Sequence, residues 1–180
     1  MSTFVNAPQS GSRQRAWIGI GANLGAAQQT VLAAIECLRP LGLVGHSSLY
    51  RSAPQDAVGP DFINAVAAVD TACSALDLLQ QLHAIEDQFG RQRPHRHAPR
   101  TLDLDLLLHG STQSDTAQLK LPHPRLHLRA FVLRPLLEVA PDLQVPGLGP
   151  LAPWLIAAQH QPIQQLDILT PTIPPAHDPG

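Results

Sequence analysis

Arg100-Thr-Leu-Asp-Leu-Asp-Leu-Leu-Leu108 decides how this chain is read. As a strand, it sets Asp103 and Asp105 on one face and Leu102, Leu104 and Leu106 on the other. Residues two apart on a strand are separated by roughly 6.6 Å. Two carboxylates at that spacing, backed by an apolar face, repel each other unless a cation joins them. A solvated strand face with ordinary alternation is the plain alternative. The neighbouring sequence weighs against it: Arg91, Arg93, Arg96 and Arg100 place four of the twelve Lys and Arg residues within ten positions. Mg2+ takes oxygen ligands, usually one or two carboxylates plus substrate phosphates. Guanidinium forks match phosphate oxygens. Carboxylates for a metal beside arginines for an anion describe a site for a metal-bound polyphosphate.

Outward from this strand, hydrophobic periodicity predicts the remaining elements. Ala16 to Gly21 reads as a strand, Gly21 to Gly25 as a turn, and Gln28 to Leu41 as a helix closed by Pro40 and Gly42. Leu43 to Arg51 and Phe62 to Val69 read as strands around a loop. Ser74 to Phe89 reads as a helix, with Ser74 as N-cap and Gly90 at its end. A basic loop, Gly90 to Pro99, leads into a fourth strand, Thr101 to His109. Loop or hairpin follows to Leu128, with a short strand at Leu119 to Leu121. Two further helices are expected at Arg129 to Val139 and Leu151 to Gln159. The order strand, helix, strand, strand, helix, strand is the split β-α-β pattern of ferredoxin-like domains. The expected class is α+β: a ferredoxin-like single domain, with an antiparallel sheet and helices on one or both faces. Residues 1–15 read as a flexible tail and 16–160 as the domain. Residues 161–180, with five of the eighteen prolines, read as an extended Pro-rich tail.

Composition narrows the function. A chain of 180 residues, 44% hydrophobic and 14% charged, can bury one core. A formal net charge of −2 gives no general attraction to nucleic acid or acidic membranes. Lys120 is the one lysine, so cationic chemistry here is arginine chemistry. Cys37 and Cys73 read as buried free thiols, and no cysteine framework points to secretion. No apolar run reaches membrane-spanning length, and residues 1–15 lack the apolar core of a signal peptide. A cytoplasmic protein is expected.

Other motifs carry less. Gly19-Ile-Gly21-Ala-Asn-Leu-Gly25 has its third glycine one position late for the dinucleotide fingerprint, and a simple strand-to-helix turn is the better reading. The Walker pattern is absent, so any triphosphate is held without a P-loop. Nine histidines raise the question of zinc, but there is no HExxH and no cysteine pair at ligand spacing. His123, between Pro122 and Pro124 and near Arg125 and Arg129, reads equally as a phosphate contact or an incidental loop residue. Phe62 and Asn64 share a strand face. They suit a flat heterocycle with donor and acceptor edges, although a core Phe and a capping Asn is the commoner reading of such a pair.

Taken together, IGIGANLG, SSLYRSAP, DFINAV, IEDQFGRQR, PRTLDLDLLL and LPHPRLHLRAFVLRPLLEVAP resemble the 6-hydroxymethyl-7,8-dihydropterin pyrophosphokinases of folate biosynthesis. The resemblance spans Ala16 to about Leu155. It implies a ferredoxin-like fold and transfer of pyrophosphate from ATP to 6-hydroxymethyl-7,8-dihydropterin, releasing AMP. It implies two Mg2+ ions held by Asp103 and Asp105, with Arg91 and Arg93 joining them as catalytic residues. For ATP it implies Arg91, Arg93, Arg100, Leu106 through its backbone, His123 and Arg129. For the pterin it implies Ser52, Ala53, Phe62, Asn64 and Phe131, and Glu86 becomes a helix acid near the catalytic loop. His97 stands where many members carry a tryptophan over the pterin. Gln118 and Lys120 replace an arginine and a small hydroxyl residue of some members.

Two rival readings use the same scaffold. One is a ferredoxin-like RNA-binding module, which needs sheet aromatics that Thr101 to Leu108 lacks. The other is a catalytically silent ATP- and Mg-binding protein, against which the retained aspartates and arginines argue. The expectation is a stand-alone monomeric enzyme whose partners are its two small substrates, with no nucleic acid and no membrane.

Overall fold

A computed structural model of the chain describes residues 12–55, 59–90 and 101–166. It contains β1 (Gln14–Ala22), α1 (Ala27–Cys37), β2 (Leu43–His46), β3 (Tyr50–Ser52), β4 (Phe62–Thr71), α2 (Ala75–Gln88) and β5 (Asp103–His109). A hairpin, β6 (Ser114–Asp115) and β7 (Lys120–Leu121), precedes α3 (Ala130–Val139). A second small hairpin, β8 (Gln144–Val145) and β9 (Gly149–Pro150), leads to α4 (Ala152–Ala157) and β10 (Ile163–Gln165).

The main sheet runs β10-β3-β4-β1-β5, with β2 also on β4, and every pairing is antiparallel. Helices cover both faces, and the fold is the ferredoxin-like α+β class expected from the element order. Alternation along β1 makes the two layers. Ala16, Ile18, Ile20 and Ala22 join Leu104 and Leu106 of β5 in one core with α1 and α2. Trp17 joins Val66, Leu107 and Leu133 in a second core with α3. Ser74 caps α2: its Oγ accepts the Asp77 N–H (3.1 Å) and donates to the Asp77 carboxylate (2.7 Å). No helix among the described residues is long and apolar enough to cross a membrane.

Four expectations shift. The strand expected at Leu43 to Arg51 is two, because β2 to β3 carries one residue more than the facing part of β4: His46 pairs Ala67, but Tyr50 pairs Asn64. At this bulge the Ser47 Oγ accepts the Val66 N–H (3.0 Å), so a hydroxyl replaces a backbone partner. β1 continues through Gly21 to Ala22, so the expected turn starts later, with Gly25 supplying its positive φ of 56°. β1 also begins at Gln14, inside the expected N-terminal tail, and Arg15 there forks onto Asp70 at 2.5 and 2.9 Å. The expected C-terminal tail contributes β10, whose Ile163–Gln165 pair with β3, and Leu166 N–H donates to Leu49 C=O (2.8 Å).

Candidate functional site

A single row of paired residues across the sheet organises the site. Asp103 of β5 pairs with Gly21 of β1, Gly21 with Asn64 of β4, and Asn64 with Tyr50 of β3. Directly paired residues point to the same face. In the next row Asp105 pairs with Gly19. Gly21 thus lies between carboxylate and amide, whereas Gly19 lies between Asp105 and Val66, with the Leu107 side chain 3.5 Å from where its Cβ would be. A Cβ on Gly21 would meet Asn64 Oδ1 at 3.4 Å and the Phe62 ring at 3.8 Å. Gly21 keeps the floor low between an acidic end and an amide end, about 10 Å apart at two strand spacings.

At the acidic end, Asp105 is 36% exposed, with Oδ2 3.9 Å from Arg129 Nη1 and Oδ1 4.0 Å from His123 Nε2. Both distances exceed hydrogen-bond length. Burial, then the Arg129 guanidinium, pushes the His123 pKa down to about 4, although Asp103 opposes the shift. His123 is thus neutral at pH 7. Its Nδ1 accepts the Arg125 backbone N–H (3.2 Å), which leaves the proton on Nε2, toward Asp105. The ring is placed by its own backbone, since His123 N–H donates to Leu107 C=O (2.9 Å).

Beside the carboxylates lies a cavity of about 310 Å³. Asp103, Asp105, Leu106 and His123 line it, with Leu79, His83 and Glu86 from α2 and Gln118 to Lys120 from the β6–β7 hairpin. Glu86 is 1% exposed, and its Oε1 accepts the Leu104 N–H (2.8 Å). That bond shows that Leu104 turns its amide away from β1, to the open edge of β5. Alternation directs the Leu106 N–H to the same edge. Lys120 is drawn to Asp115 (2.8 Å) at the cavity rim.

At the amide end, Asn64 is buried, and its Nδ2 donates to Ser52 Oγ (2.9 Å). Phe62 stands two residues before it on the same face. Ala53 is exposed just beyond β3. Across the cleared floor, Arg129 lies over the Phe131 ring, with its guanidinium carbon 5.4 Å from the centroid. Glu138 ties α3 to the strands beneath. It accepts from Ser48 N–H (3.0 Å), Ser48 Oγ (2.8 Å) and Tyr50 OH (2.7 Å).

The structure therefore gathers Asp103, Asp105, Leu106, His123 and Arg129 at one end, and Ser52, Phe62 and Asn64 at the other. Arg91, Arg93, His97 and Arg100 lie outside the described residues. Leu79 and His83 were not singled out by the sequence reading. Their spacing with Glu86, at i, i+4 and i+7 on α2, was the available signal.

Comparison with known proteins gives the family. The sequence profile of 7,8-dihydro-6-hydroxymethylpterin-pyrophosphokinase (HPPK) matches residues 17–141. The chain belongs to the HPPK family. A 2-amino-4-hydroxy-6-hydroxymethyldihydropteridine pyrophosphokinase of Pseudomonas aeruginosa is 43% identical over 157 residues, covering 85% of this chain and 97% of that protein. The Haemophilus influenzae protein of the same name is 42% identical over 138 residues, 73% of this chain and 85% of that one. Among solved structures, a Plasmodium falciparum HPPK-DHPS matches with a TM-score of 0.67 at 12% identity, over 83% of this chain. That likeness concerns the fold, and this chain spans 45% of the longer one. As an HPPK, the chain is an enzyme of folate biosynthesis that transfers pyrophosphate from ATP to hydroxymethyldihydropterin.

Proposed function

We propose that the two ends of the Asp103–Gly21–Asn64 row hold the two substrates of this HPPK: ATP through its phosphates at the acidic end, and the dihydropterin at the amide end. The observation that carries the reading is the row itself. Carboxylates and amide project from one face, with glycine between them. A side chain at position 21 would meet Asn64 and Phe62 and crowd the amide end.

The donor set suits Mg2+. Asp103 and Asp105 offer hard oxygens on one face, and among the described residues no cluster of three or more His, Cys, Asp or Glu could hold a metal unaided. Two carboxylates alone match an ion that completes its shell with phosphate oxygens and water. Two Mg2+ ions held by Asp103 and Asp105 would neutralise polyphosphate charge and activate the attacking hydroxyl. The chain's own groups do the rest. Arg129 and the neutral His123 present N–H groups to the phosphates. The Leu106 backbone, on the open edge of β5, reads the adenine, with Leu79 and Leu119 as apolar walls. Asn64, held by Ser52, reads the pterin edge, and Phe62 and Phe131 bracket its ring, with the Ala53 backbone at the rim. Arg91, Arg93 and Arg100 supply further charge to the phosphates, Arg91 and Arg93 at the reacting ones, and His97 covers the pterin. Positioning and charge stabilisation supply most of the catalysis in such transfers. The working unit is one cytoplasmic monomer whose single domain includes β1 from Gln14 and β10 to Gln165.

The deciding experiment measures AMP formation from ATP and Mg2+, with and without 6-hydroxymethyl-7,8-dihydropterin. The reading expects AMP only when pterin and metal are both present. AMP release that ignores the pterin, or that survives chelation of the metal, would refute it.

A further inference from the structure

We infer that Gln161 is a positioning residue for Arg129, and that the segment following α4 thereby sets the geometry of the nucleotide end of the site. The inference rests on the placement of ATP proposed above.

Arg129 is the residue before α3, in an extended conformation (φ −122°, ψ 112°), and no side chain of its own neighbourhood caps the helix. The first N–H groups of a helix have no partner within it. Those of Val132 and Leu133 find the Arg129 carbonyl at 3.1 and 3.0 Å. The Ala130 N–H instead goes to a residue 31 positions away: it donates to Gln161 Oε1 at 2.8 Å. The Nε2 of the same amide donates to the Leu128 carbonyl at 2.9 Å. One side chain thus grips the backbone on both sides of Arg129, as a neighbouring strand would. Ala130 is 2% exposed, so water is a poor substitute for that acceptor.

Gln161 is itself fixed at both ends. Its N–H donates to Ala158 C=O (3.0 Å) at the end of α4, and two residues later β10 pairs with β3. Gln165 of that strand donates to Ser48 Oγ (2.9 Å), the hydroxyl that also reaches Glu138 of α3. The grip therefore connects Arg129 to the sheet rather than to a loose tail. Arg129 needs such support. Its side chain stands 3.9 Å from Asp105 and lies over Phe131, so a small rotation of the backbone at 129 would move the guanidinium.

The test is a double-mutant cycle on the full chain, read as the affinity for a non-hydrolysable ATP analogue with Mg2+, with circular dichroism to confirm folding. Arg129→Met should weaken binding. Gln161→Ala should weaken it about three- to tenfold, the range for losing a pair of net hydrogen bonds. Gln161→Met, which keeps the volume and loses both bonds, should match it. In the Arg129→Met background, Gln161→Ala should cost nothing further. Additive losses would overturn the inference, and so would unchanged affinity in both Gln161 variants. If Arg129→Met leaves affinity unchanged while Gln161→Ala lowers it, Gln161 does not act through Arg129 and the inference fails. If neither change matters, the placement of ATP against Arg129 fails with it.

Discussion

The two faces of β1 invite comparison, because one strand builds both. Toward α1 and α2 it sends Ile18 and Ile20, 0% and 3% exposed, into a continuous apolar layer. Toward α3 it sends Trp17 into a second core, then Gly19 beside Leu107 and Gly21 beside Asn64 and Phe62. The lesson is one of division of labour at alternate residues: one face carries stability, and half of the other is cleared of side chains for chemistry.

The largest expected effect sharpens that division. Asp105→Ala or Asp103→Ala should lower kcat/KM for AMP release by about 10³-fold or more, since several kcal/mol of charge stabilisation is lost. The melting temperature should stay close to that of the parent. A folded Asp105→Ala protein with parental turnover would erase the distinction. Ile20→Ala, one strand position from Gly21, should do the reverse. It should destabilise the fold by about 2–5 kcal/mol in denaturant titrations. The folded fraction should keep its kcat.

Gly21→Val tests the floor directly. Forcing bulk against Asn64 and Phe62 should raise the KM for the pterin about 10- to 100-fold, matching about 1–3 kcal/mol of overpacking. Affinity for the ATP analogue should change little. If both substrates suffer equally, the two ends are not separate sites.

The smallest effect concerns Tyr50, the one tyrosine in the chain. Burial first, then the hydrogen bond and charge of Glu138, raise its pKa above the usual 10. Below about pH 10 the phenol is neutral whether the chain is folded or not. Above it, the unfolded chain ionises first, so the stability held through Tyr50 falls as pH rises. Tyr50→Phe should lose about 1 kcal/mol at pH 7 and flatten that alkaline decline. Phenolate absorbance reads the titration without interference, and an ordinary value in the native protein would contradict the buried Glu138 contact.

Much of this was legible in the sequence, for identifiable reasons. The Leu-Asp alternation of 102–106 has period two, and nothing but a strand uses it. Ser74 and Asp77 announce α2 because capping is local chemistry. What stayed hidden depends on distant partners. The break between β2 and β3 exists because the Ser47 hydroxyl meets the Val66 amide, a pairing with no local signature. β10 follows a proline and is rich in glutamine, and only β3 makes it a strand. Gly21 suggested the start of a turn, yet it lies on a paired strand, where the missing side chain leaves room for Asn64 and Phe62. Of the site, the carboxylates, His123, Arg129 and Asn64 were visible as motif residues. On α2, Glu86 was visible as a helix acid, whereas Leu79 and His83 became apparent only once the helix lay against β5.

The bond from Leu104 to Glu86 has a further consequence. β5 closes one border of the sheet, and an outward amide on a border strand is an invitation to any extended peptide. By occupying that donor with a carboxylate, α2 discourages a second polypeptide from zipping onto the border. A protein with Ala at position 86 should therefore be more prone to self-association at high concentration, independently of any loss of turnover.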